Sequence, residues 1–228
     1  MRIHRTQSRL IQIAVLLAVL ILLSGVLKAP LWGGSGNSSN GIDKTDSKKA
    51  GVLTNTKIVA LGDSFTLGYP LGEDSSWTKT LADELQVEVV NKGKAKQTGK
   101  ELLARFDEDV LAEKPGRVII FAGTGDALQK VSLTDFQGYI KSLVEKSSAN
   151  NIIPILALPV WYPGYEKTIG SMREWEQSYA LSKNILVLDF NNCLFNSEKK
   201  YLTGLSDGNY PNVKGYKAMG EYAATVLK

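Results

Sequence analysis

The 228-residue chain is 43% hydrophobic and 22% charged, the make-up of an ordinary globular protein with one membrane-compatible segment. Of its formal charge of +4, residues 1–55 supply seven Lys/Arg against Asp43 and Asp46, so the remainder is near neutral and carries no nucleic-acid footprint. The single cysteine (Cys193) and single histidine (His4) exclude an internal disulfide and a Cys/His zinc site; neither metal nor cofactor is expected.

Residues 1–9 carry Arg2, Arg5 and Arg9 and no acid. Leu10 to Leu27 follow without a charge. As a helix this run is about 27 Å long, close to the thickness of a bilayer core. A transmembrane anchor over 10–29 is expected, with a cleaved signal peptide as the competing reading. The exit favours the anchor, because large Leu27 stands two residues before Ala29 where a cleavage site wants a small residue. Three arginines ahead of the helix put the N-terminus in the cytoplasm and the rest outside a single-pass cell membrane protein. Residues 30–56, with GGSGNSSNG at Gly33 to Gly41, read as a flexible linker. The membrane is therefore one expected partner.

From Lys57 short apolar runs alternate with helical patterns. Strands are expected at Lys57–Leu61, Val87–Val90, Arg117–Ala122, Ile152–Leu158 and Ile185–Phe190. Helices are expected at Trp77–Leu85, Lys100–Glu113, Leu133–Ser147, Met172–Ser182 and Val213–Val226. In the second helix Leu102, Leu103, Phe106, Val110 and Leu111 have the spacing of one buried face. This alternation predicts an α/β domain over 57–228, a parallel sheet covered on both sides.

Four polar segments follow strands or precede the last helix. They are Gly62-Asp63-Ser64, Asn91-Lys92-Gly93, Gly123-Thr124-Gly125-Asp126 and Asp207-Gly208-Asn209-Tyr210-Pro211-Asn212 with Gly215-Tyr216 behind it. Ligands of open α/β sheets bind outside the carboxyl ends of the strands, where the first three of these lie. Together they resemble the SGNH (GDSL-type) hydrolases, serine esterases and lipases. The resemblance implies a flavodoxin-like three-layer α/β/α sandwich whose five parallel strands run in the order 2-1-3-4-5. It implies Ser64 as nucleophile, Gly93 as oxyanion-hole donor beside Ser64, and Asp207 as the orienting carboxylate. The family's third oxyanion donor is an asparagine, and its position here is Gly125. The family's base is a histidine, and its position here is Tyr210.

No register shift supplies an imidazole, because His4 precedes the expected anchor. A tyrosine with its usual pKa near 10 is a poor proton acceptor at neutral pH. Losing a triad base costs about 10⁶ in rate and losing an oxyanion donor about 10²–10³. Lys92, Lys94 and Lys96 crowd the loop after the second strand and are candidate replacement bases, against the plainer reading of three solvated surface lysines. Asp126 is expected to serve its loop structurally, and Cys193 to be a small buried hydrophobe. Trp161 and Tyr162, with Tyr165 nearby, fall on the same rim, where they would either stack on a sugar or acyl chain or pack under the following loop. Two functions follow: a modified esterase, lipase or deacetylase outside the cell, or a non-catalytic module binding a small ester, glycan, lipid or protein.

Overall fold

The computed structural model describes residues 55–228. The expected cytoplasmic tail, the 10–29 anchor and nearly all of the linker lie outside the described residues. Within them no helix is long and apolar enough to cross a membrane.

Five parallel strands form one sheet in the order β2-β1-β3-β4-β5. They are β1 (Ile58–Gly62), β2 (Val89–Gly93), β3 (Arg117–Phe121), β4 (Ile153–Ala157) and β5 (Leu186–Leu188). β1 lies between β2 and β3, with Ile58 opposite Val89 on one side and Arg117 on the other. The pleat sends alternate side chains to opposite faces. Val59, Leu61, Val118, Ile120 and Leu156 enter one core, while Ile58, Ala60, Ile119, Phe121 and Ile155 enter the other. Because both faces are buried, the strand sequences are almost continuously apolar.

The first core is covered by α3 (Gly99–Ala104), α5 (Leu133–Ala149) and α6 (Glu166–Lys183), through Leu102, Phe136, Ile140 and Met172. The second is covered by α2 (Trp77–Leu85) and α8 (Val213–Leu227), through Trp77, Leu81, Tyr216 and Met219. Short helices α1 (Ser64–Leu67), α4 (Thr124–Leu128) and α7 (Asn191–Leu194) follow strand ends. Side-chain caps fix three of the helix starts. Ser76 accepts from Thr78, Ser132 from Asp135, and Asn212 from Lys214 and Gly215.

Fold class and strand order are those the sequence predicts, and α2 has the predicted bounds. Most other ends shift by one or two residues, and α6 starts at Glu166, six residues before the expected Met172. Three further elements differ more. β2 starts two residues later and runs on to Gly93. β5 is cut to three residues. The expected Lys100–Glu113 helix breaks after Ala104 and resumes as a single π-helical turn at Asp107–Leu111. The turn keeps Phe106 and Val110 buried, so the apolar spacing continues through the break.

Candidate active site

Ser64 is the first residue of α1, directly beyond β1, and is only 4% exposed. Its Oγ accepts a hydrogen bond from the backbone N–H of Lys96 at 2.9 Å. The Tyr210 phenol lies near Ser64 and Tyr162, close enough for both hydroxyls to bear on its pKa. Burial raises the Tyr210 pKa above its ordinary value, so the hydroxyl facing Ser64 is a phenol and not a base. Asp63, wholly buried, accepts from Phe65 N–H at 2.9 Å. Its desolvation pushes its pKa up to about 7, with Asp126 nearby adding to the rise.

Gly93, expected as an oxyanion donor, is the last residue of β2. The Gly93 N–H is already spent on Asn91 Oδ1 at 2.8 Å. A Cβ on Gly93 would stand 2.1 Å from the backbone nitrogen of Leu67, so this glycine allows α1 to lie on β2. Asn91 completes the joint by donating to Thr66 O at 2.7 Å and Thr78 Oγ1 at 3.0 Å. Three residues on, Lys96 takes a left-handed conformation (φ 64°), which turns its N–H onto Ser64. Such a φ is uncommon outside glycine, and no feature of the sequence marks a lysine for it.

Gly125 lies in α4 against the Lys96–Gln97 peptide. The family's asparagine side chain would therefore run into Gln97. Asp126 performs the structural task expected of it. Its carboxylate accepts Gly99 N–H at 3.0 Å and Gly123 N–H at 3.0 Å, tying the loop after β2 to the loop after β3. Arg105, 8% exposed, was not picked out by sequence reasoning. It donates to Gly62 O at 2.9 Å, to Gln97 Oε1 and to Asp109, and so holds the Lys96 loop to the end of β1. A charged pair four residues apart within an apolar helical pattern was the available signal.

Tyr210 packs among aromatic rings. Phe65 lies 5.1 Å away between centroids, Tyr69 4.9 Å and Tyr162 5.7 Å. Asn209 Nδ2 donates to the Tyr162 hydroxyl at 3.3 Å. Asp207 is exposed, and its carboxylate accepts from Asn212 Nδ2 at 3.3 Å. Among the described residues it makes no hydrogen bond to Tyr210. Tyr210 and Tyr162 pack edge to face beside Ser64, and Asp207 makes its bond elsewhere. Trp161 and Tyr162 line a cleft of about 410 Å³ with Phe195, Lys199 and Tyr201. The Lys199 ammonium sits 4.3 Å from the Trp161 ring centre and the Arg173 guanidinium 4.9 Å.

The three lysines differ in their surroundings. Lys92 pairs with Glu113 at 2.9 Å, and Lys94 with Asp109 at 3.4 Å. Hydrogen bonds from Lys57 and Lys92 bring Glu113 down to about 2. Lys96 is exposed and has no ion pair among the described residues. Cys193 is half-buried, and burial pushes its thiol up to about 12, which leaves it unreactive. No cluster of three or more metal-ligating side chains occurs among the described residues.

A family model, the GDSL-like Lipase/Acylhydrolase family, matches residues 60–218. A structure from Desulfitobacterium hafniense DCB-2, assigned to the lipolytic G-D-S-L family, is 58% identical with a TM-score of 0.75. It covers 76% of this chain and all of its own. The acetylxylan esterase of Geobacillus stearothermophilus is 28% identical over 194 residues, 70% of this chain and 88% of its own length. The lipoprotein YqeF of Bacillus subtilis (strain 168) is 29% identical over 153 residues, 54% of this chain. The chain spans 62% of the length of YqeF, less than two thirds. With the strand order, the Ser64 turn and the matched span in agreement, this chain belongs to the GDSL-like lipase/acylhydrolase family.

Proposed function

We propose that this domain keeps the ligand cleft of an esterase family and binds an ester- or acyl-bearing ligand beside Ser64 without turning it over at an enzymatic rate. One observation carries the reading: the described residues hold no histidine, and the group near Ser64 at the expected base position is a phenol whose pKa burial raises. A serine hydroxyl needs a neighbouring base before it attacks a carbonyl. Asp207 does not supply one, since its carboxylate is exposed and engaged with Asn212. The aromatic cleft at Trp161 and Tyr162 suits the apolar face of a sugar or an acyl chain. The name of the acetylxylan esterase relative is in keeping with a glycan ester.

The test is hydrolysis of p-nitrophenyl acetate by the purified domain. Turnover at the buffer rate, unchanged by Ser64→Ala, is expected. Turnover that depends on Ser64 would overturn the reading. It would then favour the modified esterase, with Lys96 as base, because that side chain has no ion pair among the described residues and its backbone touches Ser64. Lys96→Ala would separate that case.

The domain is further proposed to stand outside the cell on a single-pass anchor. The apolar run at 10–27 behind three arginines supports this, as does a relative named as a lipoprotein. Protease added to intact cells is expected to release the domain. Cleavage only after lysis would reverse the orientation.

A further inference from the structure

At the opposite end of the sheet from Ser64, where β3, β4 and β5 begin, lies a cavity of about 630 Å³. Its size falls within the roughly 300–1,000 Å³ of small-molecule sites. Ile153 and Leu186, the first residues of β4 and β5, line it and are each 45% exposed. Val144 of α5 and Val226 of α8 add to the apolar wall.

Arg117, the first residue of β3, faces this cavity. Among the described residues its guanidinium has no hydrogen-bond or ion-pair partner, and its Nε is buried without one. Burial alone lowers its pKa, with no carboxylate raising it back. An arginine does not shed its proton, so the partial burial of this charge is left unoffset. Glu145 also lines the cavity but makes no ion pair with Arg117, and Lys183 brings a second cation. The C-terminal ends of α5 and α6 reach the same region. In their last turns Ser147 O accepts from Ile152 N–H and Ala180 O from Ile185 N–H.

We propose that this cavity binds a single-chain anionic amphiphile, with its carboxylate on Arg117 and its alkyl tail against Ile153, Leu186 and Val226. A carboxylate gives a guanidinium two parallel charge-assisted hydrogen bonds. Covering two half-exposed aliphatic side chains adds apolar burial. The site lies across the sheet from the Ser64 rim and does not depend on chemistry there.

The 58% identical relative, whose whole chain matches only the domain, indicates that residues 55–228 fold alone. That fragment is titrated calorimetrically with decanoate below its micelle concentration, with decan-1-ol and with acetate. Decanoate is expected to bind one to one, at least tenfold more tightly than either control. Arg117→Gln should weaken decanoate at least tenfold while raising the urea midpoint, since it removes an unpaired charge. Ile153→Glu, at an exposed position, should abolish binding with folding intact. Equal binding of decan-1-ol, or decanoate binding unchanged by Arg117→Gln, would overturn the proposal. So would a fragment of residues 30–228 that fails to bind where 55–228 binds, because the linker would then be the occupant.

Discussion

A Cβ placed on Gly125 would stand 2.0 Å from the carbonyl oxygen of Gln97. The space that an asparagine side chain occupies in the family is filled here by the chain's own backbone. Gly125→Asn is therefore expected to destabilise the domain by about 3 kcal/mol, read as a lower urea midpoint, and to add nothing to ester hydrolysis. Gly125→Ala should cost a comparable amount, since the clash begins at Cβ. A neutral Gly125→Ala would mean that the Lys96–Gln97 loop is free to move away.

Tyr210→His should behave differently. It puts an imidazole where a phenol now meets Ser64. Hydrolysis of p-nitrophenyl acetate is expected to rise at least tenfold, with activity increasing as pH passes about 6.5 and the imidazole loses its proton. The gain should fall well short of the roughly 10⁶ attached to a complete triad, because Asp207 is held by Asn212. Ser64→Ala in that background should remove the gain. Tyr210→Phe, which frees the Ser64 hydroxyl without supplying a base, should leave the rate at background.

Lys96 sits at φ 64° with its N–H on Ser64. Lys96→Gly should hold stability within about 1 kcal/mol, since relief of the left-handed backbone offsets the added freedom of the unfolded chain. Lys96→Val places a β-branched residue in that region and should cost more than about 1 kcal/mol. Thermal unfolding of the two variants checks this. Equal stability would show that the left-handed turn is not held in solution.

Glu176 is wholly buried in α6, with neither carboxyl oxygen hydrogen-bonded among the described residues. Burial raises its pKa well above 4.5, with nearby Asp126 adding to the rise and Arg173 opposing it. The folded protein thus keeps a proton that the unfolded chain releases above pH 4.5. The stability this group contributes is full below that pH and falls as pH rises, by about 1.4 kcal/mol per unit until the folded group ionises. Glu176→Gln should remove the loss, so its advantage over wild type in urea unfolding should grow from pH 4.5 to pH 7.5. The same advantage at both pH values would contradict a neutral buried acid.

The strand order and the Ser64 turn were legible because each rests on a local pattern. Ile58 to Leu61 is an apolar run that stops at glycine, and Ser76 signals the start of α2. The donor to Ser64 was not legible. Gly93 was named an oxyanion donor through the family resemblance, and its close approach is to Leu67. Nothing about Lys96 shows that its backbone turns left-handed. The displacement of Asp207 from Tyr210 depends on how the segment after β5 wraps, a long-range matter beyond any local pattern. The crowding over Gly125 is likewise set by a residue 28 positions away in sequence, Gln97.

The sheet's two edges bear on how copies of this protein tolerate one another at high local concentration. β5 offers an incoming strand only three residues, Leu186–Leu188. On the other edge, β2 carries Lys92 in its ion pair with Glu113, and exposed Lys94 follows it. Short edges and edge lysines are the means by which sheets resist growing into one another. Crowding should therefore leave this protein as separate molecules rather than seed β-aggregates.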